Sequence, residues 1–121
     1  MSVAGESHYQ PALRALVPAG SSADYLAFTA TLKPEPDNAW DPHAIVVLGP
    51  GAQILGYLPR DVAKRYQRQL LTLGQIDCPA ELRGGDEARL SIGVVLHWTT
   101  VDHTLSAIKV TRRARVKKPV A

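Results

Sequence analysis

The sequence predicts a mainly β domain with one principal α-helix, folded as a small β-barrel of about six strands. Short apolar or alternating segments recur between glycine and proline turns along most of the chain, a pattern typical of small all-β architectures. The longest run of apolar side chains at helical spacing covers residues 61–73. With 121 residues the chain has the length of one domain, which buries roughly two thirds of its unfolded surface around one core.

The strands are assigned from side-chain alternation and from the turns that separate them. Residues 25–32 alternate between apolar and polar side chains, as a half-buried strand does. Residues 44–48 and 53–58 flank the turn sequence Gly49-Pro50-Gly51, which predicts a hairpin. Further strands are expected to begin at Val3 and to cover residues 76–82, 90–98 and 105–110. This arrangement favours a small barrel of the oligonucleotide-binding (OB-like) kind or an SH3-like relative.

The principal helix is predicted to follow directly after Pro59. Asp61 is a suitable N-cap, Gly74 a suitable C-cap, and the apolar stripe between them faces the body. Lys64 and Arg65 lie on the remaining surface of this helix. A shorter helix is predicted over residues 11–17, where Pro18 stops it.

The charge of the chain is concentrated at its C-terminal end. The net charge is +3, yet residues 105–121 hold six of the 14 Lys and Arg residues and no acidic residue. We therefore divide the chain into a barrel domain, residues 1–111, and a flexible basic tail, residues 112–121. Such a tail is a common footprint for contact with phosphate backbones, and it is equally common as a solubilising segment.

Several classes of function lack the residues they require. The one cysteine, Cys78, is expected to be a buried apolar side chain, and the four histidines are too scattered for a zinc site, so neither a metal nor a cofactor is expected. No activated nucleophile and no phosphate-binding loop is recognisable, so we do not expect an enzyme. Because the sequence shows neither a signal peptide nor a membrane span, we expect a soluble, cytoplasmic protein, nucleoid-associated if bacterial.

The turn before the predicted strand at residues 44–48 is the most informative stretch. Pro34 and Pro36 stiffen the chain that leads into it, and Asn38, Trp40 and Asp41 follow. One interpretation makes these three residues a ligand pocket. In the other, the tryptophan plugs the end of the core while the asparagine and aspartate cap the turn through the backbone.

Three separated stretches together resemble the HIRAN domain, over roughly residues 3–98. The family pattern is a glycine-led segment ending in aromatics, then Asn-x-aromatic-Asp-x-x-Ala-Ile-x-Val, then a Gly-aromatic-or-His-Leu-Pro-Arg/Lys-x-x-Ala segment. The corresponding stretches of this chain, in the same order, are Gly5-Glu6-Ser7-His8-Tyr9, Asn38-Ala39-Trp40-Asp41-Pro42-His43-Ala44-Ile45-Val46-Val47 and Gly56-Tyr57-Leu58-Pro59-Arg60-Asp61-Val62-Ala63. His43 falls at a variable position of this pattern.

The resemblance implies a modified OB-type barrel that captures the free 3′-hydroxyl end of single-stranded DNA, in DNA repair or replication-fork processing. The separate partner enzyme would be a helicase or a nuclease. Carried over by motif, the DNA 3′-end site comprises His8, Tyr9, Asn38, Trp40, Asp41, Tyr57 and Arg60. Auxiliary phosphate contacts are expected from Lys64, Arg65, Arg112 and Arg113. Some members have a basic residue where Ser7 stands, so one phosphate contact is missing unless the tail replaces it.

General chemistry agrees with this site. Bases stack on aromatic rings regardless of base identity, and each such stack is worth about 1 to 3 kcal/mol. A carboxylate such as Asp41 accepts a hydroxyl proton but repels a phosphate, which favours a free 3′ end. The alternative function is a protein-interaction β-barrel whose basic tail binds nucleic acid or an acidic partner without specificity.

Overall fold

Five antiparallel strands form one curled sheet, a half-barrel of OB-like type, in a computed structural model that describes residues 1–18, 21–85 and 90–109. The predicted basic tail, with Arg112 and Arg113, lies outside the described residues, so the domain boundary stays a prediction. The strands are β1 (Ala27–Pro34), β2 (Ile45–Leu48), β3 (Ile54–Tyr57), β4 (Ile76–Gly84) and β5 (Ile92–Leu96). The helices are a 3-10 turn (Glu6–His8), α1 (Gln10–Ala15), α2 (Arg60–Leu73) and α3 (Trp98–Ala107).

The mainly β fold with a principal helix is confirmed, and the sheet order is β3-β2-β1-β4-β5. Strand β1 lies at the centre and pairs with both β2 and β4. Its alternation has the predicted sense, because Ala30 and Leu32 are buried while Thr29 is exposed. The inner face of the sheet and the apolar stripe of α2 share one core, which includes Ile45, Leu55 and Leu70. The predicted hairpin of β2 and β3 is also confirmed.

The N-terminal segment joins the two edges of the sheet instead of forming the predicted strand. Ser2 pairs with Val95 of β5, and Ala4 pairs with Tyr57 of β3. The edge of β5 is completed further along by side chains, since the Val94 N–H donates to a Glu6 carboxylate oxygen at 2.7 Å. Backbone N–H groups at a sheet edge need partners, and this crossing segment supplies them. It thereby closes the half-barrel with residues distant in sequence.

The close approach of the N-terminal segment requires a glycine on β3. A Cβ atom on Gly56 would lie 2.4 Å from Val3 Cγ1 and 2.7 Å from the Ala4 carbonyl oxygen. Both distances are below any that real Cβ atoms make. The glycine of the third sequence motif is therefore a packing requirement of barrel closure.

Helix α2 matches its prediction except at its first turn. Pro59 occupies the N-cap position, and Asp61 lies inside the first turn without capping it, so the predicted Asp61 cap is wrong. Proline suits this position because its ring restricts φ to values near the −52° found here. Gly74 ends the helix as predicted, with its N–H donating to the Leu70 carbonyl at 2.8 Å. The described part of the chain contains no helix long and apolar enough to cross a membrane.

The strand predicted over residues 105–110 is wrong as far as it is described, because the chain forms helix α3 there. The strand predicted over residues 90–98 likewise ends at Leu96. Val101 and Leu105, four residues apart, are both buried on one face of α3. Trp98 packs edge-on against Tyr66 of α2 at a ring-centroid distance of 5.5 Å, and the Tyr66 hydroxyl donates to Asp102. The apolar side chains of this segment therefore lie on a helix, although their spacing also suits a short strand.

Candidate functional site

The turn between β1 and β2 is held by the side chain of Asn38. Its Oδ1 accepts two backbone hydrogen bonds, from the Trp40 N–H at 2.8 Å and the Asp41 N–H at 3.0 Å. Its Nδ2 donates to Glu35 Oε1 at 3.0 Å. Asparagine suits this position because its short amide imitates a backbone turn. Asn38 therefore builds the turn, and its amide offers a ligand little that is not already used.

Trp40 stands at the tip of this turn with its indole almost wholly in solvent. Its side chain is 90% exposed, and its backbone is fixed by the bond to Asn38. The interpretation of Trp40 as a plug for the core is therefore excluded. An exposed aromatic ring on a fixed backbone is a surface on which a planar group can stack.

Asp41 is held between a backbone group and an arginine. Its Oδ1 accepts the His43 N–H at 2.9 Å, and its Oδ2 lies 3.5 Å from Arg60 Nε at the start of α2. The hydrogen bond from His43, followed by the nearby Arg60 charge, lowers the pKa of Asp41 from its ordinary value. Asp41 is therefore ionised throughout the neutral range, with lone pairs left to accept another hydrogen bond.

A pocket of about 330 Å³ lies beside this turn, and all three sequence motifs contribute to it. Six of the seven residues predicted for the 3′-end site border it. The lining consists of Ala4, Gly5, Tyr9, Asn38, Trp40, Asp41, Ala44, Tyr57, Leu58 and Arg60. The sheet register brings these residues together, since Ala4 pairs with Tyr57 and the Leu58 N–H donates to the Ile45 carbonyl at 3.0 Å.

Two tyrosine rings form another part of the pocket lining. The rings of Tyr9 and Tyr57 lie 6.4 Å apart at a tilted angle, and the ring of His8 meets Tyr9 edge-on at 6.4 Å. His8 is exposed and lies next to the pocket instead of lining it. Aromatic pairs at this spacing are mutually stabilising, so this part of the lining is a preformed surface.

Glu35 is a site residue that the sequence analysis missed. It sits where β1 ends, accepts a hydrogen bond from the Asn38 amide, and places its carboxylate near the hydroxyl of Tyr57. Burial, followed by the nearby Glu35 carboxylate, raises the pKa of Tyr57 to about 12. A second groove, lined by Glu35, Trp40 and others, adjoins the first pocket across the Trp40 side chain. No local sequence pattern marks Glu35, because Tyr57 lies on β3. The two residues come together only through the pairing of β1 with β2 and of β2 with β3.

Helix α2 is also tied to the turn behind Asp41. Gln67, which is 9% exposed, donates its amide to the Pro42 carbonyl at 2.6 Å. Gln67 is a polar residue that packs inward beside the buried apolar side chains of α2. Arg60 and Gln67 thus both fix the turn from the same helix.

The auxiliary basic residues separate in space. Lys64 borders a cavity of about 370 Å³ that adjoins Asp41 and Arg60, so it extends the site. Arg65 points to a different cavity, bordered by Tyr66, Trp98 and Asp102. Within the described ranges, no group of three His, Cys, Asp or Glu side chains is placed to hold a metal ion.

Comparison with known proteins gives one family. Residues 28–98, more than half of the chain, match the model of the HIRAN domain. This range contains the second and third motifs, while the first motif lies before it. The chain has no significant match among curated proteins or among solved structures.

Proposed function

Because the chain belongs to the HIRAN domain family and is thus a nucleic-acid-binding module, we propose that it captures the free 3′-hydroxyl end of single-stranded DNA without breaking any bond. The observation that carries the proposal is the composition of the pocket. Three aromatic side chains border it together with one carboxylate, Asp41, and one guanidinium, Arg60. Its volume of about 330 Å³ lies at the lower end of ordinary ligand pockets, which run from about 300 to 1,000 Å³.

The aromatic side chains account for affinity without base specificity. Trp40 presents an exposed face, and Tyr9 and Tyr57 contribute two more rings to the lining. A base on one of these surfaces stacks through its π face, which all bases share. The pocket therefore suits the last nucleotide of any sequence.

Asp41 accounts for the choice of end. Its ionised carboxylate accepts a hydrogen bond from a terminal 3′-hydroxyl, and it repels a terminal phosphate. Arg60, whose side chain is 81% exposed, supplies the positive charge for the next phosphate along the strand. These opposite charges at fixed positions orient the strand in the pocket.

The proposed role is in DNA repair or replication-fork processing, inside the cell, with a separate helicase or nuclease as the partner enzyme. A module that only holds a DNA end gains its effect by placing that enzyme at the end. In this proposal the chain supplies the binding pocket, and the partner enzyme carries out any reaction on the DNA.

The test compares oligonucleotides that differ only at the 3′ terminus. We expect a strand ending in 3′-hydroxyl to bind about fivefold more tightly or better than one ending in 3′-phosphate, since one close charge pair in water is worth about 1 kcal/mol. Asp41→Asn should remove this difference. Equal affinity of both strands for the unmodified protein would refute end recognition and favour the alternative, a protein-interaction barrel that contacts nucleic acid without specificity.

A further inference from the structure

We propose that His43, Arg60 and Lys64 form a phosphate subsite beside the end-binding pocket, and that the charge of His43 sets its affinity. The inference deepens the proposed function and rests on it, because the ligand is a phosphodiester of the same DNA strand. The three side chains border one cavity of about 370 Å³, together with Asp41 and Asp61. His43 belongs to the proposed subsite because it borders this cavity, although it falls at a variable position of the sequence motif.

The cavity continues directly from the pocket. Asp41 and Arg60 border both spaces, so the Asp41 carboxylate and the Arg60 side chain form the wall that they share. A strand whose last nucleotide occupies the pocket therefore has a short path along Arg60 into the cavity. Neighbouring phosphates of one strand follow each other closely enough for both spaces to be used together.

Arg60 and Lys64 have donors to spare for this phosphate. Arg60 contacts Asp41 through Nε at 3.5 Å, which leaves its terminal nitrogens available on a side chain that is 81% exposed. Lys64 is exposed and has no ion-pair partner within the described ranges. Guanidinium and ammonium groups of this kind are the usual protein ligands of phosphate.

The charges around the cavity cancel, so the charge of His43 decides the net charge of its lining. Around the cavity, Arg60 and Lys64 oppose Asp41 and Asp61, so the four side chains sum to zero. His43 is the remaining ionisable group on the lining; its Nδ1 lies 3.6 Å from Asp41 Oδ1 and its side chain is 46% exposed. Histidine is the side chain that ordinarily changes charge between about pH 5 and pH 8. The cavity is therefore neutral when His43 is neutral and positive when it is protonated.

The consequence is a DNA affinity that depends on pH through one phosphate. The lowered pKa of Asp41 keeps that carboxylate ionised across the same interval, and a phosphodiester carries its single charge throughout. Strands made only of thymidine add no titrating base. We therefore expect the affinity for such a strand to rise about fivefold or more from about pH 8 to about pH 5.

The experiment measures affinity at both pH values for the full chain and three variants. Each is made in a His8→Ala background, because His8 is a second exposed histidine beside the pocket. In that background His43→Ala should abolish the rise and His43→Lys should bind tightly at both pH values. His103→Ala, which changes an exposed histidine on α3, should behave as the His8→Ala parent. A rise that persists in His43→Ala, with the fold intact by thermal melting, overturns the proposal. Weak binding by His43→Lys at about pH 8 overturns it as well, since a fixed charge must substitute for the proton.

A second series identifies the phosphate and separates the two proposals. Each linkage in turn is replaced by a neutral methylphosphonate, and one position near the 3′ end should remove the pH-dependent rise. If no position does so while the 3′-hydroxyl preference remains, the subsite fails and end recognition stands. If one position does so although 3′-hydroxyl and 3′-phosphate strands bind equally, the subsite stands and end recognition fails. Inorganic phosphate at the same concentrations should not compete, and competition would identify a site for free phosphate instead.

Discussion

Ala4 and Tyr57 exchange two backbone hydrogen bonds, of 2.7 Å and 2.9 Å, and so join the residue directly before the first sequence motif to the third motif. Both residues border the pocket. The same pairing closes the curled sheet at its β3 edge. Closure of the sheet at its β3 edge and the shape of the proposed binding pocket thus share one contact between segments more than 50 residues apart.

Gly56→Ala should therefore damage both stability and the pocket. The new Cβ meets Val3 and the Ala4 carbonyl at distances that force the N-terminal segment away. Overpacking of this kind costs about 1 to 3 kcal/mol, and we expect at least that loss in the free energy of unfolding, measured with urea. Gly51→Ala is the matched control, because its new Cβ meets the flexible Gln53 side chain. An unchanged unfolding midpoint for Gly56→Ala would mean that the closure contributes nothing.

Trp40→Ala should weaken DNA binding and leave stability nearly intact. Loss of one stacked base corresponds to about 1 to 3 kcal/mol of binding free energy, whereas an indole that is 90% exposed contributes little to folding. Trp98→Phe should show the opposite behaviour, since Trp98 packs against Tyr66 away from the pocket. Isothermal titration and thermal melting of both variants measure the two effects, and a collapse of folding in Trp40→Ala would contradict the assignment.

In the Trp98→Phe background the fluorescence reports on Trp40 directly. We expect strong quenching by acrylamide for the free protein, because the indole is exposed, and clear protection when DNA is added. Protection should be smaller when the Asp41→Asn substitution is introduced in addition. Quenching that does not change at saturating DNA would show that no base covers this ring.

Asn38→Ala should destabilise the turn. Two backbone donors, on Trp40 and Asp41, lose their common acceptor, at a cost of about 1 kcal/mol or more. Asp37→Ala is the matched control in the same turn, since the exposed Asp37 side chain makes no hydrogen bond within the described ranges. Urea unfolding measures the cost. Equal stability of the two variants would contradict the role of Asn38 in holding the turn and would favour the predicted contact with a ligand.

Asp102→Asn should make the fold less sensitive to acid. The hydrogen bond from the Tyr66 hydroxyl lowers the pKa of Asp102 in the folded state from its ordinary value of 3.8. A depressed folded-state pKa contributes stability above the ordinary value, and this stability is lost as the pH falls through the folded-state value. The melting temperature of the unmodified protein should therefore fall more steeply below about pH 4 than that of Asp102→Asn. Tyr66→Phe should resemble Asp102→Asn, and a parallel decline in all three would contradict this linkage.

The parts of the fold that the sequence predicted well are those that local chemistry governs. Alternation identified β1, the glycines and proline after Leu48 identified the hairpin, and Gly74 marked the end of α2. The segment around Leu105 was assigned wrongly because a short apolar run suits a strand or a buried helix equally, and packing of α3 on its neighbours decided between them. The N-terminal crossing was missed since its two partner strands are remote in sequence.

By itself, the sequence determined the family, the stiff turn and six of the residues that meet in the pocket, because spacing within a motif survives into the fold. Tertiary structure alone decided what each of these residues is free to do. Sheet pairing brings Glu35 near Tyr57, and the turn engages the amide of Asn38. The direction of α2 places Lys64 at the same cavity as His43 and Arg65 at another. Hydrogen bonds and charge pairs act over a few ångströms of space, and only the folded chain fixes which groups lie within that distance.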